Sequence, residues 1–294
     1  MTPALSICLP VYNGERYLQA AIESALQQGF GDFELVICDD ASTDHTVELC
    51  RSIKDPRLRL IEAHENLGLA GNWNRCIAAC RGALLKYLAQ DDLLLPGALE
   101  SFLFHQSLYP DQSFFFCSNE QIDEDGATVR FRKPPLAHPL QSPDQLLRLL
   151  FEHGNQIGGP TNTLIRTAAI EEVGWFDARS SYSLDWVLWV QLARRFGGVY
   201  LDRPLVQIRE HRGSETSRLA RGDAGSGDLR WWDGYRALQI LRDREPSLGP
   251  WLRRARHDFL LGMPRHALRE AVRTRGLPPG LFGRALELLR DSGW

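Results

Sequence analysis

Two pairs of adjacent carboxylates each stand where an apolar run stops. Leu35-Val36-Ile37-Cys38 drives into Asp39-Asp40 and then Ala41-Ser42-Thr43-Asp44, and the run 83–88 passes through Ala89-Gln90 into Asp91-Asp92. Apolar runs of this length read as buried strands of a parallel sheet, and ligands of open α/β sheets bind outside the carboxyl ends of such strands. Two neighbouring acids repel each other and resist desolvation, so a purely structural role for Asp39 and Asp40 would be costly. Helix capping accounts for Ser42 to Asp44 ahead of a helix from Thr46, and an acid is favourable just before the helix that Pro96 opens. Capping leaves Asp39 and Asp40 unexplained. A ligand is the better reading, and Tyr12, at the mouth of the neighbouring strand, offers an aromatic face that can stack on a nucleobase or simply half-bury in its loop.

The positioning elements are legible around these acids. Residues 5–9 make a strand that runs into Pro10-Val11-Tyr12-Asn13-Gly14, and Leu18, Ala21, Ile22, Ala25 and Leu26 give residues 17–28 helical spacing. Strand, helix and strand form a βαβ unit, which implies a parallel sheet with a right-handed crossover. Residues 58–61 add a strand, a helix ends near Cys80, and a further helix starts near residue 183 and runs to about Arg195. Residues 199–201 and 205–208 read as two more strands, while residues 119–160 read as variable loops.

Taken in order, these segments resemble the GT2-like group of inverting, nucleotide-sugar-dependent glycosyltransferases. Pro10 to Gly14, Asp39-Asp40, Asn66-Leu67-Gly68 with Asn72, and Ala89-Gln90-Asp91-Asp92 stand at the positions of that family's motifs, and the match extends over most of residues 5–212. The resemblance implies a GT-A fold: an α/β, Rossmann-like, mixed but mainly parallel sheet flanked by helices. It also implies that Pro10, Tyr12, Asn13, Asp39, Asp40, Asn72 and Asp91 face the nucleotide, with Tyr12 and Asp40 holding the base. Asp91 and Asp92 correspond to the metal motif and are expected to share the metal and ribose contacts. Ala89 stands where the first acid of Asp-x-Asp would fall. A departing nucleoside diphosphate needs its charge neutralised, and a divalent cation (Mn²⁺ or Mg²⁺) held by one or two carboxylates does this, with phosphate oxygens completing its shell.

The resemblance continues through Gly174-Trp175-Phe176-Asp177 and Leu184-Asp185-Trp186. It assigns the general base to Asp185, which would take the acceptor's proton on the face opposite the leaving phosphate. A place at a helix N-terminus would lower the pKa of Asp185 and keep it ionised, and capping is its plainer reading. Leu184 replaces the Glu usual before the base. Arg209-Glu210-His211 follows the last strand, so His211 is expected near the metal and Arg209 near phosphate charge, with Arg166 and Trp186 on the acceptor side.

Composition frames these readings. The 294 residues are 44% hydrophobic and 24% charged, an ordinary globular balance with room for a catalytic domain at 1–214 and a helical C-terminal region at 215–294. No apolar run approaches bilayer length and no basic-then-apolar leader opens the chain, which gives a cytoplasmic expectation. Six cysteines fit that compartment as buried thiols, since Cys76 and Cys80 lack a second pair at zinc spacing. Residues 215–294 hold 15 Arg and no Lys against 10 acids, a net +5 that leaves −8 for residues 1–214. The basic part suits peripheral contact with anionic lipid at the inner face of the membrane, or is a solvated helical face. A Gly- and Ser-bearing linker is expected at 221–228, with helices at 229–244, 251–261, 264–274 and 279–289. The implied partners are a nucleotide-sugar donor, UDP- or dTDP-linked, and a carbohydrate or lipid-linked saccharide acceptor, with no nucleic acid. The implied activity is sugar transfer in bacterial surface polysaccharide or lipopolysaccharide assembly. A nucleotide-sugar-binding protein without turnover and a sugar-phosphate nucleotidyltransferase are the alternatives.

Overall fold

Strand and helix alternate from the N-terminus in the computed structural model, which describes residues 2–180, 182–214 and 229–262. β1 (Leu5–Val11), α1 (Leu18–Leu26), β2 (Phe33–Asp39), α2 (Thr46–Ser52), β3 (Leu58–Glu62), α3 (Gly68–Ala79) and β4 (Leu84–Tyr87) form a wholly parallel half-sheet in the order β3-β2-β1-β4. The sheet then changes character. β9 (Thr163–Arg166) pairs antiparallel with β4 on one side and with β6 (Phe114–Ile122) on the other, and β10 (Gly198–Arg209) lies parallel to β6. Two reversals cancel, so β1, β2, β3, β4, β6 and β10 all run the same way and share one carboxyl-end edge. Short β5 (Leu93–Leu94), β7 (Thr128–Arg132) and β8 (Leu140–Gln141) are antiparallel additions to β10, β6 and β10 respectively.

Period-2 alternation divides β1 between two layers. Leu5, Ile7, Leu9 and Val11 enter an aliphatic core with Leu35 and Ile37 of β2, Ala21 and Ile22 of α1, and Leu99 and Phe102 of α4 (Ala98–Leu108). The opposite face is aromatic: the rings of Trp73 and Tyr87 lie 5.3 Å apart, Trp73 and Phe176 5.7 Å, and Phe114 stacks on Trp189 at 5.4 Å. α5 (Pro143–His153), α6 (Thr167–Val173) and α7 (Leu184–Phe196) belong to that part of the fold, where α7 packs against both α5 and α6. Cys8, Cys38, Cys76 and Cys80 also meet there, with burial raising the Cys8 and Cys76 thiols, yet no group able to hold a metal ion forms among the described residues.

Two sequence expectations change. The separate strands at 199–201 and 205–208 are one strand, β10, whose pairing with β6 slips around Pro204. Proline has no ladder donor, so an irregularity is how a strand accommodates it. The loops expected at 119–160 contain the end of β6, β7, β8 and α5, the last started by a capping box from Ser142 and Gln145 with proline in its first turn.

The chain divides into two compact units, Met1–Ser217 and Arg218–Trp294. In the second, α8 (Leu229–Arg244) packs on α9 (Gly249–Gly262) around a 3-10 turn at Pro246–Leu248. The linker expected at 221–228 and the helices expected at 264–274 and 279–289 lie outside the described residues. No helix among the described residues is long and apolar enough to cross a membrane.

Gly82 sets how closely α3 returns to the sheet. A Cβ there would lie 2.5 Å from the Ser6 nitrogen and 2.6 Å from the Leu5 carbonyl carbon, both rigid backbone of β1. Gly82→Ala should therefore lower stability by about 1–3 kcal/mol, read as a lower urea midpoint with unchanged m-value.

Candidate active site

The shared strand direction gathers four loops at one edge: Tyr12-Asn13 after β1, Asp40 to Asp44 after β2, Ala89 to Asp92 after β4, and Glu210-His211 after β10. Polar side chains lace the first two together. Asn13 N–H donates to Ser42 Oγ at 2.9 Å, Thr43 N–H donates to Asn13 Oδ1 at 2.8 Å, and Gly14 N–H donates to Thr46 Oγ1 at 2.8 Å. Asn13 takes a left-handed φ of 48° to do this, a conformation that Asn tolerates better than most residues. Gln90 joins the third loop to the first by accepting from Tyr12 N–H at 2.8 Å and donating to the Tyr12 carbonyl at 3.1 Å. The Tyr12 side chain remains 43% exposed at the rim, and Pro10 is buried within β1.

Asp39 and Asp40 have different work. Asp40 accepts from Leu67 N–H at 2.9 Å and Gly68 N–H at 3.0 Å, so its oxygens hold the start of α3. Asp39 accepts from Ser42 N–H at 3.1 Å through Oδ2, while its buried Oδ1 has no hydrogen-bond partner. A buried carboxylate oxygen left open is an acceptor awaiting a donor. Asn72 donates to the carbonyls of Val11 at 3.2 Å and Cys38 at 3.0 Å and accepts from Arg75 at 3.0 Å, which ties β1 to β2. Arg75, which sequence reasoning passed over, also donates to the Asp39 carbonyl.

The second acidic pair divides in the same way. Asp92 is 6% exposed; it accepts from Thr161 Oγ1 at 2.6 Å and from Arg209 N–H at 3.0 Å. Burial, then the neighbouring Asp91 charge, pushes its pKa up to about 8. Beneath it Lys86, wholly buried, donates to the carbonyls of Thr161 and Tyr87 and lies over the Phe102 ring; burial brings its pKa down to about 8. Asp92 is thus bound to protein through both carboxylate oxygens. Asp91 instead meets His211, Oδ2 to Nε2 at 3.0 Å, across 120 residues of sequence. A carboxylate and an imidazole suit Mn²⁺ as a partial ligand set that needs further oxygen ligands, and no protein group of three metal-binding side chains gathers among the described residues.

Arg209 and Arg166 both direct their guanidinium groups at backbone carbonyls. Arg209 spends its guanidinium on the carbonyls of Asp91 at 3.1 Å and Asp123 at 3.0 Å and lies 4.6 Å over the Tyr17 ring. Arg166 pairs with Leu84, at the amino end of β4, because β9 runs antiparallel; its side chain donates to the carbonyls of Gln112 at 3.0 Å and Pro110 at 2.6 Å. The residue that reaches the acids from this segment is Thr161, at the opposite end of β9.

Asp185 lies in the first turn of α7. Oδ1 accepts from Trp186 N–H at 2.7 Å and Oδ2 from Asn155 Nδ2 at 2.8 Å. Burial raises its pKa to about 6, outweighing these bonds and reversing the expectation of a lowered value. Trp186 donates its indole N–H to the Leu150 carbonyl at 3.1 Å and packs edge-on against Phe151, so its polar atom is spent on α5. Asn74, another residue without a sequence signal of its own, clamps Phe176 through two backbone bonds of 2.9 and 3.0 Å.

Known proteins fit this geometry. Solved structures similar to the chain include TarS 1-349 of S. aureus in complex with UDP-GlcNAc (TM-score 0.61, 16% identity, 90% of this chain and 83% of that one) and the Pyrobaculum calidifontis mannosyltransferase PcManGT in complex with GDP-Man and Mn²⁺ (TM-score 0.60, 19% identity, 99% and 80%). At those identities the likeness shows the fold, which is GT-A. An uncharacterized glycosyltransferase of Rickettsia typhi is 29% identical over 265 residues, 88% of this chain and 78% of that protein. The chondroitin synthase of Escherichia coli is 36% identical over 131 residues, 43% of this chain and 19% of the synthase. Residues 6–174 match the sequence pattern described as Glycosyl transferase family 2, and the chain, a glycosyltransferase with relatives in polysaccharide synthesis, belongs to that family.

Proposed function

We propose that the protein is a metal-dependent inverting glycosyltransferase that moves a sugar from a nucleotide donor to a hydroxyl acceptor. The observation that carries this reading is the Asp91–His211 pair, 3.0 Å apart at the joint carboxyl ends of β4 and β10. Asp91 and His211 would hold a Mn²⁺ or Mg²⁺ ion, which when bound neutralises the diphosphate as it leaves. The open Asp39 Oδ1 would accept an N–H from the base, with Tyr12 stacking on it. An imide N–H suits that oxygen, so UDP or dTDP is favoured; cytosine offers an acceptor at the same ring position. Asp185 takes the acceptor hydroxyl's proton while the acceptor oxygen bonds to the anomeric carbon. The bond from that carbon to the phosphate oxygen breaks, and the nucleoside diphosphate departs with the electron pair. Bacterial surface polysaccharide or lipopolysaccharide assembly would use such a reaction, carried out at the cytoplasmic face of the membrane. The non-catalytic alternative, a nucleotide-sugar-binding protein, draws on Ala89 in place of an acid.

Thermal-shift measurements should show UDP or dTDP with Mn²⁺ stabilising the protein more than CMP, with the gain lost on chelation and in Asp91→Ala. Equal stabilisation by UDP, dTDP, GDP and CMP would remove the Asp39 assignment. Asp185→Asn should keep that nucleotide response while transfer and donor hydrolysis fall by about 10²–10⁴-fold. Binding without turnover in the wild type would leave the scaffold reading. Because the Asp185 pKa is raised to about 6, its proton-accepting form is lost as pH falls through that value. A plot of log(kcat/KM) should decline below pH 6 and level above it.

A further inference from the structure

The Asp185 carboxylate is held from outside its own helix by an uncharged group, and the hold continues to the other acids. Asn155 follows Gly154, the residue that closes α5, and its Nδ2 reaches Asp185 Oδ2 at 2.8 Å. Its amide plane is fixed by a reciprocal pair with Gly158, in which Asn155 Oδ1 accepts from Gly158 N–H at 3.0 Å and Nδ2 also donates to the Gly158 carbonyl at 3.3 Å. The Gly158 carbonyl accepts a second bond at 2.9 Å from Trp189 Nε1, one helical turn beyond Asp185 on α7. Gly158 has a φ of 90°, and the chain then passes Gly159 and Pro160 to Thr161, whose hydroxyl bonds Asp92 at 2.6 Å and accepts from Ala89 N–H at 3.0 Å. Residues 155–161 are therefore a continuous strut from Asp185 to the acid beside Asp91.

We infer that Asn155 is a positioning residue for Asp185, and that the 155–161 segment fixes the spacing between the proton-accepting carboxylate and the diphosphate end of the site. This rests on the reading of Asp185 as base. The chemistry of an amide suits the task. A Lys or Arg at 155 would direct the carboxylate equally well, but its full charge would depress the basicity of Asp185 further; the neutral amide orients one oxygen with a smaller lowering. The charged group acting on Asp185 is Arg132 of β7, whose guanidinium donates to the Asn155 carbonyl. Leu184, before the base, is buried in the core and offers no polar help.

The test follows Mn²⁺-dependent release of nucleoside diphosphate from a panel of UDP-, dTDP- and GDP-hexoses by the full chain. Asn155→Ala should lower kcat by about 10²-fold with donor KM and the nucleotide thermal shift unchanged. The acid limb of the pH profile should move to higher pH, because a bond that favours the charged carboxylate is gone. Asn155→Asp, equal in size, should move that limb further by adding a like charge, and it covers the case in which the alanine variant folds poorly. Wild-type kcat and an unmoved acid limb in both variants, beside an inactive Asp185→Asn, would overturn the positioning role alone. If Asp185→Asn turns over like the wild type, the base reading itself falls.

Discussion

A carboxylate withdrawn from water must be met by donors, and Asp92 is met by the Thr161 hydroxyl from the turn before β9 and by the Arg209 amide at the end of β10. Burial raises the Asp92 pKa to about 8, so these two bonds do not restore the ordinary preference for the charged form. The effect of this cluster is therefore on geometry more than on stability. It joins three segments distant in sequence at one point, with Lys86 below supplying compensating positive charge. Asp91 stands next to that knot and His211 two residues beyond Arg209. Their approach to 3.0 Å is thus a consequence of the knot, as is the height of the strut that ends in Asp185.

Both acidic pairs show one division of labour. In each pair the two carboxylates meet different partners. Asp40 turns to the start of α3 while Asp39 keeps an open oxygen; Asp92 turns inward while Asp91 meets His211. The expense of burying a pair without ligand is real, but backbone N–H groups at a helix start and a strand end can meet it.

The parallel half of the sheet was legible because its strands are apolar runs of distinctive length and its helices keep their spacing, as in Leu18, Ala21, Ile22 and Ala25. The direction of β9 was not, since a four-residue strand reads identically either way; that direction sets Arg166 beside the amino end of β4 and Thr161 toward its carboxyl end. Lys86 was hidden for another reason: within an apolar run it reads as an interruption, and only the tertiary fold shows the carbonyls that meet it. α5 could have been found from Ser142-Pro143-x-Gln145, whose capping pattern was present in the sequence. The raised pKa of Asp185 was beyond reach, because it comes from packing by neighbours that no local pattern names.

β9 has one more effect. Its antiparallel insertion between β4 and β6 separates the chain up to Asp92 from the chain that carries β6, α5 and α7. Substitutions in β7, in α5 or along the exposed Val129 and Phe131 edge can accumulate without disturbing the backbone bonds that shape the mouth around Asp39. Such a seam would let one half of the sheet vary while the loops of the other keep their shape.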